Sequence, residues 1–136
     1  MVEVAIIIRT KNEETWISSC LNAIINQKYK NYEIVVVDNQ SVDLTLNILK
    51  DYPVKIVTYK REDGAYFPGE ALNIGIKSTH AKYYAFLSAH CIVKSKYWLE
   101  EYIDELSKNQ KFAGVYGRQE PLAYSSFQTK RDLAIA

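Results

Sequence analysis

Tyr83-Tyr84-Ala85-Phe86-Leu87-Ser88-Ala89-His90-Cys91 is the stretch on which the fold turns. Its first five residues are an apolar run that reads as a buried strand, and the run closes on polar side chains where that strand must end. In open α/β sheets ligands gather at the carboxyl ends of the strands, so Ser88 and His90 stand where chemistry is expected. Two earlier runs end in the same way: Ile6-Ile7-Ile8 leads into Arg9-Thr10-Lys11-Asn12, and Ile34-Val35-Val36-Val37 into Asp38-Asn39-Gln40-Ser41. Three such strand tips predict a single site.

Outward from those tips, strands and helical periodicities alternate. Val4 to Ile8 is nearly all β-branched and apolar, as a strand buried on both faces requires. Asn12 is placed to cap a helix whose first turn is Glu13-Glu14-Thr15, with Ile17, Cys20, Leu21, Ile24 and Ile25 at helical spacing as far as Lys28. Tyr32 to Val37 is the second strand, and Ser41-Val42-Asp43 opens a helix carrying Leu44, Ile48 and Leu49. Asp51-Tyr52-Pro53 stops it before a third strand, Val54 to Tyr59. The polar stretch 60–69, with Gly64, Pro68 and Gly69, reads as a loop, and Glu70 to Ser78 as a helix. After the 83–87 strand, Ser95 caps a helix with Trp98, Leu99, Tyr102, Ile103 and Leu106 inward. Phe112 to Tyr116 is expected as a fifth strand and Ser126 to Ala136 as a last helix. This alternation predicts an α/β fold: a mainly parallel, Rossmann-like sheet with helices on both faces.

Size and composition narrow the partners. A chain of 136 residues is long enough for one domain with a real core and too short for two comfortable ones, so residues 1–136 are expected to form one domain. Seventeen basic against sixteen acidic residues leave a net charge of +1, which gives no electrostatic case for nucleic acid. Cys20 and Cys91 are too few for a metal framework or a disulfide scaffold and read as reduced thiols of a cytosolic protein. No apolar stretch approaches the roughly 20 residues of a membrane span. The expectation is a cytoplasmic chain, at most attached to the inner membrane surface.

The strand tips suit a nucleoside diphosphate. Asp38 or Asn39 could hydrogen-bond a base edge or a ribose hydroxyl. Arg9, Lys11 or Arg61 could meet phosphate, as could the amides opening the helix after Gly69. His90 could bind a divalent ion through a ring nitrogen, which Mn²⁺ accepts more readily than Mg²⁺. Each residue also has a plainer reading. Asp38-Asn39-Gln40-Ser41 could be a turn closed by side chain to backbone bonds, Asn12 a helix cap, Asn73 an anchor for the 60–69 loop, and His90 a satisfied polar residue. Their convergence on one sheet edge favours the functional reading.

Several of these stretches resemble a known family. Val4-Ala5-Ile6-Ile7-Ile8-Arg9-Thr10-Lys11-Asn12-Glu13, Leu21-Asn22-Ala23-Ile24-Ile25-Asn26-Gln27, and Tyr32 through Asp43 are similar to the opening of the family 2 inverting glycosyltransferases. So are Gly69-Glu70-Ala71-Leu72-Asn73-Ile74-Gly75-Ile76 and Tyr84 through His90, and the five pieces fall in the right order. The resemblance implies the GT-A fold of nucleotide-diphospho-sugar transferases. It also implies transfer of a sugar from a nucleotide donor to the hydroxyl of a saccharide or lipid-linked acceptor, as in bacterial surface polysaccharide assembly. Carried over by position, Thr10 and Lys11 border the base, and Asp38 with Asn39 contact base and ribose. Ser88-Ala89-His90 occupies the place of the Asp-x-Asp motif that holds metal and diphosphate. Arg118 and Gln119 follow the strand that next approaches the donor and would reach its sugar or phosphates, and Asn12 and Asn73, within the matching stretches, are expected among the substrate-binding residues.

Two departures qualify that inheritance. Ser88-Ala89-His90 has no carboxylate, so it lacks the hard anionic oxygens that would hold Mn²⁺ or Mg²⁺. His90 remains the one candidate ligand, or as imidazolium it could neutralise diphosphate directly. The second is length: in the family the general base lies in an acceptor-binding half beyond residue 136, and Glu120 and Asp132 sit in no recognisable base motif. The expectation is a truncated, donor-binding half with weak or absent transfer of its own, whose uncovered apolar edge favours homo-oligomers. A non-catalytic nucleotide-sugar-binding or assembly module is the alternative. A phospho-acceptor receiver would need an acidic cluster where Arg9-Thr10-Lys11 stands, and a nucleotidyltransferase a glycine-rich basic loop after the first strand.

Overall fold

The computed structural model describes residues 2–109 and 111–135, except for the side chains of Asp132, Ala134 and Ile135. The chain divides into two compact units, Met1–Ile103 and Asp104–Ala136. The first unit holds the sheet. Its strands are β1 (Val2–Thr10), β2 (Tyr32–Asp38), β3 (Lys55–Thr58) and β4 (Ala81–Ser88). They lie in the order β3-β2-β1-β4, and every neighbouring pair is parallel. The helices between them are α1 (Ile17–Ile25), α2 (Thr45–Leu49) and α3 (Pro68–Lys77), and α4 (Trp98–Lys108) begins after β4. The parallel α/β sheet expected from the alternation is present.

Period-two alternation along β1 and β2 sorts their side chains onto two faces. Val4, Ile6, Ile8, Ile34 and Val36 pack with Ile17, Cys20, Leu21 and Ile24 of α1, Leu49 of α2 and Leu99 of α4. Ala5, Ile7, Val35 and Val37 pack on the opposite face with Ala71 of α3 and Tyr59. Burial on both faces is why the runs are almost purely apolar. α3 sits close against the sheet because residue 75 is glycine: a Cβ there would stand 2.4 Å from Ile7 Cγ2 and 3.0 Å from Val37 Cγ2.

Gln27 fixes the segment that follows β4. It is buried, its amide nitrogen donates to the carbonyls of Ala23 (3.2 Å) and Ser95 (2.8 Å), and its amide oxygen accepts from Leu99 N (3.2 Å). Lys28 N donates to the Lys96 carbonyl at 2.8 Å nearby. The chain from β4 to α4 is thereby tied to the end of α1. The Ser95 hydroxyl accepts from Tyr97 N at 3.1 Å, just ahead of α4, close to its expected capping role.

β4 is an edge of the sheet, and Phe86 on it is 48% exposed. The expected fifth strand is absent: residues 112–116 have no strand conformation. Gly114 interrupts that short run, and isolated apolar residues do not make a strand without a hydrogen-bonded neighbour. In the second unit, α5 (Phe127–Ile135) is the expected last helix, with the Ser126 hydroxyl capping it by accepting from Thr129 N at 3.1 Å. No helix among the described residues is long and apolar enough to cross a membrane.

Candidate functional site

Register brings the predicted strand tips together. Thr10 pairs with Asp38 across β1 and β2, and Arg9 pairs with Ser88 across β1 and β4. β2 and β3 lie on one side of β1 and β4 on the other, so the winding of the sheet reverses at β1. A crevice opens at the carboxyl ends of strands where winding reverses, which is where such sheets bind ligands. Asp38 and His90 stand on that one edge, on either side of β1.

The tips of β1 and β2 are stitched side chain to backbone. The Asp38 carboxylate is buried and accepts from Ser41 N (2.9 Å) and from the Ser41 hydroxyl (2.5 Å). Ser41 Oγ in turn accepts from Asn12 N at 2.8 Å, and Asn12 Oδ1 accepts from Val42 N at 2.8 Å. Asn39 is buried, and its backbone N–H reaches the Thr10 carbonyl at 2.9 Å. Asp38 therefore does close a turn, as its plainer reading held, while each carboxylate oxygen keeps acceptor capacity for a ligand.

Asn12 is not the helix cap its spacing suggested. Its φ is +53°, and α1 begins only at Ile17, with Trp16 before it making no side-chain cap bond. Asparagine tolerates this left-handed conformation better than other non-glycine residues. In this conformation it makes two bonds to the β2–α2 loop, to Ser41 Oγ and from Val42 N. Thr10 is 5% exposed, and its hydroxyl is the one buried side-chain polar atom without a hydrogen-bond partner among the described residues. Such a group costs free energy until something bonds it.

At the β4 tip, Arg9 Nε donates to Ser88 Oγ at 3.1 Å. Ala89 is fully buried, with its N–H on the Arg9 carbonyl at 3.2 Å, and Cys91 N closes a turn onto the Ser88 carbonyl at 2.9 Å. His90 projects from that turn, and its Nδ1 lies 2.8 Å from Glu13 Oε1. Among the described residues no three His, Cys, Asp or Glu side chains gather. At this tip Ser88 is bonded by a guanidinium and His90 offers a single nitrogen. Cys20 is buried beneath this corner. Burial first, then the proximity of Cys91 and Glu13, pushes its thiol up to about 12, which keeps it protonated and inert at neutral pH.

The remaining candidates lie elsewhere on the chain. Lys11 is exposed beyond the tip of β1, and Asn73 is exposed on α3. Arg61 is engaged already: its guanidinium bonds Asp63 (2.8 Å) and Glu70 (2.7 Å), holding the Asp63 carboxyl down to about 2 and that of Glu70 below its usual range. Arg118 and Gln119 belong to the second unit, where both are exposed outside any helix. Of the late carboxylates, Glu120 is exposed in the same segment, and the Asp132 side chain lies outside the described residues.

Glu13, Ser41 and Thr45 were not anticipated as partners in the rim. Glu13 N donates to Thr45 Oγ1 at 2.8 Å, Glu14 N to Asp43 Oδ2 at 3.1 Å, and Leu44 N to Glu14 Oε2 at 2.8 Å. A hydroxyl or carboxylate shortly after each strand was the available signal. Pairings across 29 to 77 positions are not marked by local spacing.

A model of the family described as Glycosyl transferase family 2 matches residues 5–131. A poly(ribitol-phosphate) beta-glucosyltransferase of Bacillus spizizenii is 31% identical over 131 residues, which are 88% of this chain and 20% of that protein. The chain spans only about 20 to 40 per cent of the curated relatives it matches first. Among solved structures, Staphylococcus aureus TarS residues 1–349 in complex with UDP superposes with a TM-score of 0.70 at 26% identity, over 89% of this chain and 38% of that one. A mannosyltransferase of Pyrobaculum calidifontis in complex with GDP-Man and Mn²⁺ gives 0.68 at 21% identity, over 78% of this chain and 32% of that one, a likeness of fold alone.

Proposed function

The chain belongs to glycosyl transferase family 2 and has the GT-A type of α/β fold, and we propose that its strand-tip rim binds the nucleotide-sugar donor of a transfer to an acceptor hydroxyl. The observation that carries this reading is the meeting of Thr10, Asp38, Ser88 and His90 at the carboxyl edge where the winding reverses. Asp38 and Asn39, with Thr10, Lys11 and Asn12 beside them, hold the base and ribose. Ser88, Arg9 and His90 face the diphosphate. Asn73, Arg118 and Gln119 are assigned to the donor by position in the family alone.

In the proposed reaction the acceptor oxygen attacks the anomeric carbon from the face opposite the leaving group. The new C–O bond forms as the bond from that carbon to the diphosphate oxygen breaks, which inverts the configuration. The acceptor proton goes to a general base, which we assign to no residue of this chain. The rim's contribution is to orient the donor and to stabilise the charge that develops on the diphosphate. Arg9 brings a fixed positive charge to that place. A divalent ion, where one binds, would take His90 as its single protein ligand and add further charge neutralisation.

The acceptor is a saccharide or lipid-linked glycan of surface polysaccharide assembly, a reading supported by the relative that acts on poly(ribitol-phosphate). A lipid-linked acceptor places the protein at the inner membrane face. The test is calorimetric titration with UDP, GDP and dTDP, each with and without Mn²⁺. One nucleoside diphosphate is expected to bind, and His90→Ala to weaken it at least several-fold. The donor-site reading is wrong if none binds at millimolar concentration to folded protein.

A further inference from the structure

We infer that Glu13 is the positioning residue for His90, supplying from the β1–α1 loop the carboxylate that the Ser88-Ala89-His90 tripeptide lacks. Glu13 Oε1 lies 2.8 Å from His90 Nδ1, across 77 positions of sequence. A carboxylate can only accept, so the imidazole proton at this contact sits on Nδ1. Nε2 is then the nitrogen left to a ligand, whatever the charge on the ring. Carboxylate–imidazole pairs of this kind fix both the tautomer and the ring orientation.

The two partners differ in how firmly they are held. His90 projects from a turn with its side chain 58% exposed, whereas the Glu13 side chain is 20% exposed. The Glu13 backbone is fixed from both sides: its N–H donates to Thr45 Oγ1 at 2.8 Å, and its carbonyl accepts from Trp16 N (3.0 Å) and Ile17 N (2.9 Å). Glu13 therefore has the anchored backbone and the more buried side chain, and His90 is the member being aimed. An exposed histidine left to itself samples several rotamers and loses that freedom when it engages a ligand. The contact removes part of that loss in advance, which is the general advantage of a preorganised site.

Only the consequence for ligand binding rests on the donor-site reading; the aiming of His90 stands apart from it. Two measurements keep them distinct. Long-range ¹⁵N–¹H spectra of the imidazole at alkaline pH report which nitrogen carries the proton. We expect the Nδ1–H form in the unmodified chain, retained in Glu13→Gln, whose side-chain carbonyl still accepts, and replaced by Nε2–H in Glu13→Ala. The second measurement is titration with the nucleoside diphosphate that binds. Glu13→Ala is expected to weaken it several-fold, Glu13→Gln by less, and Glu13→Ala with His90→Ala no more than His90→Ala alone. An Nε2–H imidazole in the unmodified chain, or one whose tautomer ignores Glu13→Ala in folded protein, overturns the inference. So does an added loss of affinity from Glu13→Ala once His90 is gone. Absence of nucleotide binding together with the expected tautomers would remove the donor-site reading and leave the pairing intact.

Discussion

Thr10 carries the sharpest consequence of any single side chain in the rim. Its hydroxyl is buried at the β1 tip beside Asp38 and has no hydrogen-bond partner among the described residues. An unsatisfied buried hydroxyl costs on the order of 1–3 kcal/mol, so Thr10→Val, which keeps the shape and removes the polar atom, should melt at the same temperature or higher. The same variant should bind nucleoside diphosphate more weakly if the hydroxyl finds its partner in the ligand. Thermal melts paired with calorimetry check both halves, and a lower melting temperature with unchanged affinity would reverse the assignment. At this scale much of the candidate rim could be read from sequence, because polar residues directly after apolar runs mark strand ends. Asp38, Ser88 and His90 were visible that way. The use made of Asn12 was not, since a helix cap and a left-handed linker residue draw on the same residue types.

Among the elements, β1 and β2 were legible because burial on both faces leaves an unbroken apolar signature; β4 was legible from its apolar run, yet it is a half-buried edge strand and not the buried one that run suggested. α3 was legible too, yet nothing in its periodicity shows how near it lies to the sheet. Gly75 is the reason: a methyl group there would meet Ile7 and Val37 far inside contact distance. Gly75→Ala should therefore lower stability by about 1–3 kcal/mol or more, the usual range for overpacking, despite the better helix propensity of alanine. Chemical denaturation of the two proteins would measure this, and an unchanged midpoint would mean that α3 shifts freely on the sheet. The misread elements have physical causes as well. α1 starts late because residues 12–14 are committed to bonds with the β2–α2 loop. Residues 112–116 carried strand-like composition, but composition cannot supply a ladder partner.

For the molecule as a whole, β4 is an edge strand bearing Phe86, and exposed apolar edges invite pairing. Sedimentation velocity over a concentration series should show reversible self-association of this 136-residue chain, and Phe86→Lys should shift it toward monomer. A single sedimenting species at every concentration would dismiss that expectation. The rim itself behaves differently from an edge. Side chains and amides of residues 12–14 and 41–45 clasp one another through five hydrogen bonds within the protein. A rim held by bonds of the protein's own resists rearrangement, so on the donor-site reading capture of a nucleotide should proceed without the lag of loop ordering. Its selectivity would then come from shape already cut, in the manner of a mould.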